Sequence, residues 1–199
     1  GRMLDAVLGE AILTPLGIDA AFEAGSVADT SLLCPLYQGD TITRPVAEQL
    51  GYVRVEQPGY RGNFYAGGFT CSAGDMARLA ALLAADGQYQ GEQLLAPETV
   101  AYLEQPLGEV PGGFLQCRPL RCRTELYGRD RIYYHTGSAY GFYGLVSYDP
   151  DTGDGVAVFT TGAAGDTDDW GIYQVCSQIA RAVYRPEERE ALACTASQP

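Results

Sequence analysis

The chain has 199 residues, with 25 Asp and Glu against 13 basic residues, for a formal net charge of −12. All the basic residues are arginine, there is no lysine, and His135 is the single histidine. A phosphate-loop lysine, a Schiff base, a Ser-x-x-Lys nucleophile pair and a His-x-x-x-His zinc site are thereby excluded, and the acid excess speaks against a nucleic-acid partner.

In chain order, Leu4, Val7, Leu8 and Ile12 carry the spacing of one buried helical face, so a helix is predicted over 3–14, closing at Pro15-Leu16-Gly17. Residues 18–70 have weak periodicity and read as loops and short elements, with a candidate strand at Tyr52-Val53-Arg54-Val55. Ser72-Ala73-Gly74-Asp75 has the form of a capping box. Behind it Met76, Leu79, Ala80 and Leu83 fall on one face of a helix that Gly87 can stop. Pro97 suits the first turn of a second helix over 97–104.

From residue 113 the pattern becomes β-like. Ile132-Tyr133-Tyr134 leads into a Gly-rich turn, Gly144 to Tyr148 ends at the turn residues Asp149-Pro150-Asp151-Thr152-Gly153, and Val156 to Thr160 returns antiparallel. A last helix is predicted over 168–184, with Asp166, Asp168 and Asp169 at its start and an apolar stripe of Ile172, Val175, Ile179 and Val183. The predicted class is α+β: a mainly helical and loop segment over 1–112, about three antiparallel strands plus a helix over 113–186, and a polar tail over 187–199, in one compact unit.

The six cysteines form no C-x-x-C pair and read as packed thiols, although Cys117 and Cys122 could also bridge a small loop. No cofactor is implied, and no apolar run reaches the roughly 18 residues of a membrane span. Gly1 ahead of Met3 reads as a cut site, so the chain is expected to be a piece that starts inside an element. Asp149 to Gly155 has calcium-loop features, but Thr160 stands where a bidentate acid is needed, and a hairpin turn is the better reading.

The most specific stretch is Tyr134-His135-Thr136-Gly137-Ser138-Ala139-Tyr140-Gly141. A strand-end histidine followed by Thr-Gly-Ser resembles the third motif of serine β-lactamases and penicillin-binding proteins, in the His-Thr-Gly form of the class C β-lactamase, esterase and D-Ala-D-Ala peptidase branch. Three more stretches resemble that branch in the same order. They are Ile12 to Ile18 (I-x-x-P-L-G), Ala66 to Arg78 (A-G-G-x-x-x-S-A-x-D-M-A-R) and Gly91 to Val100 (G-x-x-L-L-x-P-E-T-V). The family's Ser-x-x-Lys and Tyr-x-Asn motifs precede the helix that matches residues 3–17, and neither occurs here.

The resemblance implies a partial β-lactamase/transpeptidase-like fold lacking its N-terminal part. It also implies the C-terminal portion of a hydrolase acting on β-lactam, peptidoglycan-peptide or ester substrates, inactive without its nucleophile. The alternatives are a degenerate, non-catalytic binding module and a site completed by a second chain. His135, Thr136, Gly137 and Ser138 would be the substrate-binding and oxyanion groups, facing a small-molecule or peptide substrate. Tyr134 and Tyr140 either line the pocket or are ordinary strand residues. A bacterial, extracytoplasmic parent is implied. So is an open edge near Val156 to Thr160, where a homodimer could form by strand pairing.

Overall fold

The computed structural model describes residues 3–53 and 64–188. Helix α1 (Leu4–Leu8) continues through a π-helical stretch, Gly9–Leu13, and the chain turns at Gly17 with φ +62°. Ile12 and Leu16 are buried against Leu82, whereas Leu4 and Val7, placed on the same face by their spacing, are exposed. Strands β1 (Leu36–Gln38) and β2 (Thr41–Arg44) form a hairpin, followed by α2 (Val46–Gly51) and the single turn α3 (Phe64–Gly67). Tyr52 and Val53 follow α2 without strand pairing, and Arg54 and Val55 of that expected strand lie outside the described residues.

Helix α4 (Ala73–Ala84) begins as its sequence predicts. The Ser72 hydroxyl accepts from the Asp75 N–H at 3.0 Å and donates to the Asp75 carboxylate at 2.8 Å, so the acid closes the box on the cap hydroxyl. At the other end the N–H groups of Asp86 and Gly87 reach the carbonyls of Leu83 and Leu82, the paired bonds of a Schellman stop. A small hairpin, β3 (Gln88–Tyr89) and β4 (Glu92–Gln93), leads to α5 (Pro97–Glu104), with Pro97 in its first turn.

The sheet has six antiparallel strands instead of the expected three. They are β5 (Gly108–Val110), β6 (Phe114–Gln116), β7 (Arg121–Arg123), β8 (Ile132–Ala139), β9 (Phe142–Tyr148) and β10 (Gly155–Thr161), in the spatial order β10-β9-β8-β7-β6-β5. Of the last three, β9 and β10 were legible, as was the start of β8; β5 to β7 span three residues each, too few to display an alternation. The turn from Asp149 is a β9–β10 hairpin turn, with the Asp149 carboxylate accepting from the N–H groups of Asp151 and Thr152 and lying 3.4 Å from Arg129. Cys117 and Cys122 are buried free thiols.

Helices cover both faces of the sheet. On one, Ile132, Tyr134, Leu145, Val156 and Val158 pack against α6 (Gln174–Tyr184); on the other, Cys122, Tyr133 and Tyr148 pack against Ala80 and Ala84 of α4. Helix α6 departs from expectation twice. It starts at Gln174, because the Asp168 carboxylate instead closes a turn by accepting from the N–H groups of Trp170 and Ile172, each at 2.9 Å. Its buried face is Cys176, Ser177, Ala180 and Tyr184, leaving Ile179 and Val183 exposed. The Ser177 and Tyr184 hydroxyls are hydrogen-bonded to Tyr127 and Ser147, each at 3.0 Å, which removes the penalty of burying them.

Strand β10 is hydrogen-bonded as a strand only to β9 among the described residues, so the edge expected to be open is open along most of its length. Its end is covered by β1, where the Tyr37 N–H donates to Thr161 Oγ1 at 2.6 Å and the Gly162 N–H donates to the Tyr37 carbonyl at 3.0 Å. The same hairpin presses on the β8–β9 turn. Gly141 and Gly153 occupy hairpin turns with similar φ, +79° and +77°. A Cβ on Gly141 would overlap the Tyr37 carbonyl, whereas one on Gly153 meets nothing within 4 Å.

Two predictions follow from this packing. Both Gly141→Ala and Gly153→Ala carry the left-handed strain of about 1 kcal/mol, and Gly141→Ala is expected to lose about 2 kcal/mol more through overlap. Denaturant unfolding measures the difference; equal losses would mean that β1 does not press on the turn. The second concerns Glu104, whose carboxylate accepts from the Tyr148 hydroxyl at 2.9 Å. Burial holds this carboxyl above its ordinary value of 4.5, against the opposing pull of Tyr148 and Arg131. The folded chain therefore binds this proton more tightly than the unfolded chain, a contribution full below 4.5 and lost as pH rises through the raised value. Glu104→Gln, neutral and of the same shape, should gain stability relative to the parent as pH rises from about 4 to about 7. An unchanged or falling difference in urea unfolding would contradict the sign.

Candidate functional site

Strand β8 changes character halfway along. Ile132, Tyr133 and Tyr134 pair with Arg123, Cys122 and Arg121 of β7 on one side and lie under the helices. Pairing with β7 ends at Tyr134, while pairing with β9 continues through Ala139, opposite Phe142. From His135 to Ala139 one edge of β8 is thus unpaired among the described residues, and its side chains are exposed apart from half-buried Thr136. Alternate backbone N–H and C=O groups along such an edge are available to an extended ligand, the geometry of β-strand addition.

The expected residues gather along this edge, with one exception. His135 and Ser138 are exposed, and neither side chain has a hydrogen-bond partner among the described residues, so His135 is not held by a backbone carbonyl. Gly137 stands opposite Gly144; a Cβ there would meet only a Phe142 ring carbon at 3.8 Å, so the local packing does not itself demand glycine. Tyr134 is the exception: it is 1% exposed, in the core beneath the edge, with its hydroxyl accepting from Arg123 Nε at 3.2 Å. Tyr140 is an exposed turn residue with φ +53°, fixed by the Thr43 hydroxyl donating to its carbonyl and by Arg44, 4.9 Å from its ring centre.

The arginines of β7 also belong to this end of the sheet, and no motif marks them in the sequence. Arg121 and Arg123 are two residues apart on a strand and share a face with Tyr134 and Thr136; that period-two spacing beside the motif was the signal available. Arg123 is 6% exposed and has no carboxylate partner among the described residues. It donates to the carbonyls of Gly112, Gly113 and Trp170 and to the Tyr134 hydroxyl, and lies beside the Phe114 and Trp170 rings. The β5–β6 turn, the loop before α6 and the root of the motif strand are tied together by this one side chain.

Other reactive groups are disposed differently. Burial pushes the Cys71 thiol up to about 12, with Asp75 adding to the effect, and raises Cys122 and Cys176 to about 11, so none of these three is a thiolate nucleophile at neutral pH. A cavity of about 330 Å³ lined by Asp5, Leu13, Phe22, Glu23 and neighbours shares no residue with β8. It is not the place to which the exposed polar groups converge.

Arg123→Met keeps the apolar stem but leaves three carbonyls and a tyrosine hydroxyl without their donor. A stability loss of about 3 kcal/mol is expected in denaturant unfolding; a loss below about 1 kcal/mol would mean that these acceptors find other donors.

Comparisons with known proteins bear on the fold and the family. A search of curated proteins found no match. Among solved structures, the chain resembles a penicillin-binding protein homolog from Caulobacter crescentus, with a TM-score of 0.50 and 18% identity over 91% of this chain. The likeness concerns the fold, and this chain spans 53% of that protein, about half its length. The Beta-lactamase family model matches residues 1–174, and the chain belongs to the Beta-lactamase family.

Proposed function

We propose that this chain is the substrate-side, C-terminal portion of a serine β-lactamase-like hydrolase and that alone it does not carry out acyl transfer. The observation carrying this reading is the end of β7 pairing at Tyr134, which leaves the His135–Ala139 edge exposed beside a family motif. In the proposed site a β-lactam, peptidoglycan-peptide or ester substrate lies along that edge. The Ser138 N–H supplies one oxyanion donor, the Thr136 hydroxyl contacts the substrate, and Gly137 leaves room for its approach. His135, whose side chain has no hydrogen-bond partner among the described residues, supplies a hydrogen bond to the substrate.

The inactivity follows from chemistry the chain does not contain. Without a lysine it has no Ser-x-x-Lys pair, and removing nucleophile and base leaves only binding and oxyanion effects. The span of about half the Caulobacter protein is consistent with the other half supplying those groups.

Incubation of the purified chain with a chromogenic cephalosporin and with a p-nitrophenyl ester tests this directly. Turnover at the buffer rate and an unchanged intact mass are expected. A mass increase matching an acyl adduct, or a burst of chromophore, would show a nucleophile within the chain and end the proposal.

A further inference from the structure

We propose that this chain pairs with a second copy of itself through strand β10, forming a two-fold dimer whose axis passes through Ala157 and whose α6 helices meet beside it. The inference does not depend on the reading of the β8 edge as a substrate site.

Two open features lie on one side of the molecule, and the first is the outer edge of β10. The Asp149 N–H donates to the Asp154 carbonyl at 2.8 Å. From that pair the alternation of an antiparallel ladder turns the backbone groups of Val156, Val158 and Thr160 toward β9. Those of Gly155, Ala157 and Phe159 point outward, and none has an outer hydrogen-bond partner among the described residues. Strand β1 blocks the edge from Thr161 onward. The devices that guard an edge are missing: residues 155–165 contain no charged residue and no proline, and the β9–β10 register runs without a bulge.

The second feature is a flank of α6. Cys176 donates to the Tyr143 carbonyl of β9, while Ser177 and Tyr184 turn to Tyr127, in the connection from β7 to β8, and to Ser147 of β9. The helix therefore lies over β9 and β10, and its flank away from these contacts is the one above the β10 edge. Val175, Ile179 and Val183 follow one another there at four-residue intervals, with Ile179 46% and Val183 41% exposed.

One rotation satisfies both features. A two-fold perpendicular to the sheet at Ala157 sets Ala157 opposite its own copy and Gly155 opposite Phe159 of the second copy, and each such pair exchanges two N–H···O bonds. The two six-stranded sheets become continuous, with both α6 helices on the same face. Neighbouring strands are about 4.8 Å apart, so helices over the β9–β10 pair of each copy are about 10 Å apart, the distance at which helices pack. The apolar stripes then face each other. Two chains of net charge −12 repel in general, and this face, uncharged over 155–165 and over 174–180, is where they can approach. An unrelated strand would fill the edge and leave the stripe in water, so the fit favours a second copy.

Sedimentation velocity and amide hydrogen exchange of the full chain test this from about 1 µM to about 100 µM, in reductant because the Cys34 thiol is exposed. The parent should dimerise within that range, with the Ala157 and Phe159 amides protected only in the dimer. Ala157→Pro removes an outward N–H, leaves the β9–β10 bonds in place and should give a folded monomer. Ile179→Glu, at an exposed position, sets two carboxylates face to face and should raise the dissociation constant about tenfold or more. Leu107→Glu, exposed at the opposite edge of the sheet, should dimerise as the parent does. If Ala157→Pro fails to fold, shown by loss of its thermal transition, Ile179→Glu and the amide protection of the parent decide. A parent that stays monomeric at every concentration overturns the proposal. So does a monomer with those amides already protected, which would place a segment of the same chain on the edge. A dimer that survives both Ala157→Pro and Ile179→Glu overturns it as well, and loss in Leu107→Glu alone would move the interface to the other edge.

Discussion

The buried guanidinium of Arg123 is the constraint around which the site end of the sheet is organised. A charge this deep must have its donors satisfied, and here neutral acceptors do so: three carbonyls from two separate loops and the hydroxyl of Tyr134. Because those acceptors come from the β5–β6 turn and the loop before α6, neither segment can move without stranding a charge or a carbonyl. Tyr134 is thereby locked one residue before the exposed motif. The position of His135 to Ser138 is set from below and by pairing with β9, since their side chains are exposed apart from half-buried Thr136.

The opposite end of the motif is held by a different force. Gly141 lies against the Tyr37 carbonyl, Thr43 donates to the Tyr140 carbonyl, and Arg44 sits over the Tyr140 ring. The β8–β9 hairpin is therefore anchored at its root by a buried charge and at its turn by a second hairpin, and its exposed edge lies between the two. An edge strand unsupported at either end would be prone to slip or fray. Support at both ends lets one side of β8 stay unpaired without losing register against β9.

What was legible in the sequence, and what was not, divides along physical lines. The capping box at Ser72 and the proline-led helix at Pro97 are encoded by local chemistry and stand where the residues place them, as do β9 and β10, whereas β8 runs on from Tyr134 through Ala139, residues whose glycine and small side chains predict a turn. Strands β5 to β7 are defined by pairing with distant partners, and three residues carry no period. The face of α6 was misread for a more instructive reason. Hydropathy places Ile179 and Val183 inside, yet Ser177 and Tyr184 are buried because Tyr127 and Ser147 satisfy their hydroxyls. A one-dimensional pattern cannot see a partner from another element. The motif residues were legible by resemblance; the β7 arginines were not, because their meaning comes from the strand beside them.

The absence of lysine gains a physical sense from this arrangement. A lysine charge sits on a flexible stem and is lost when burial depresses its pKa, whereas a guanidinium stays charged and offers a fixed plane of donors. An all-arginine chain can therefore bury one cation as a structural tie, Arg123, and hold a second two residues away at the start of the open edge, Arg121. The cation beside Thr136 follows from the register that sets Arg121 opposite Tyr134. Shifting that register by one residue would turn Arg121 to the opposite face of the sheet and leave Thr136 without a cation.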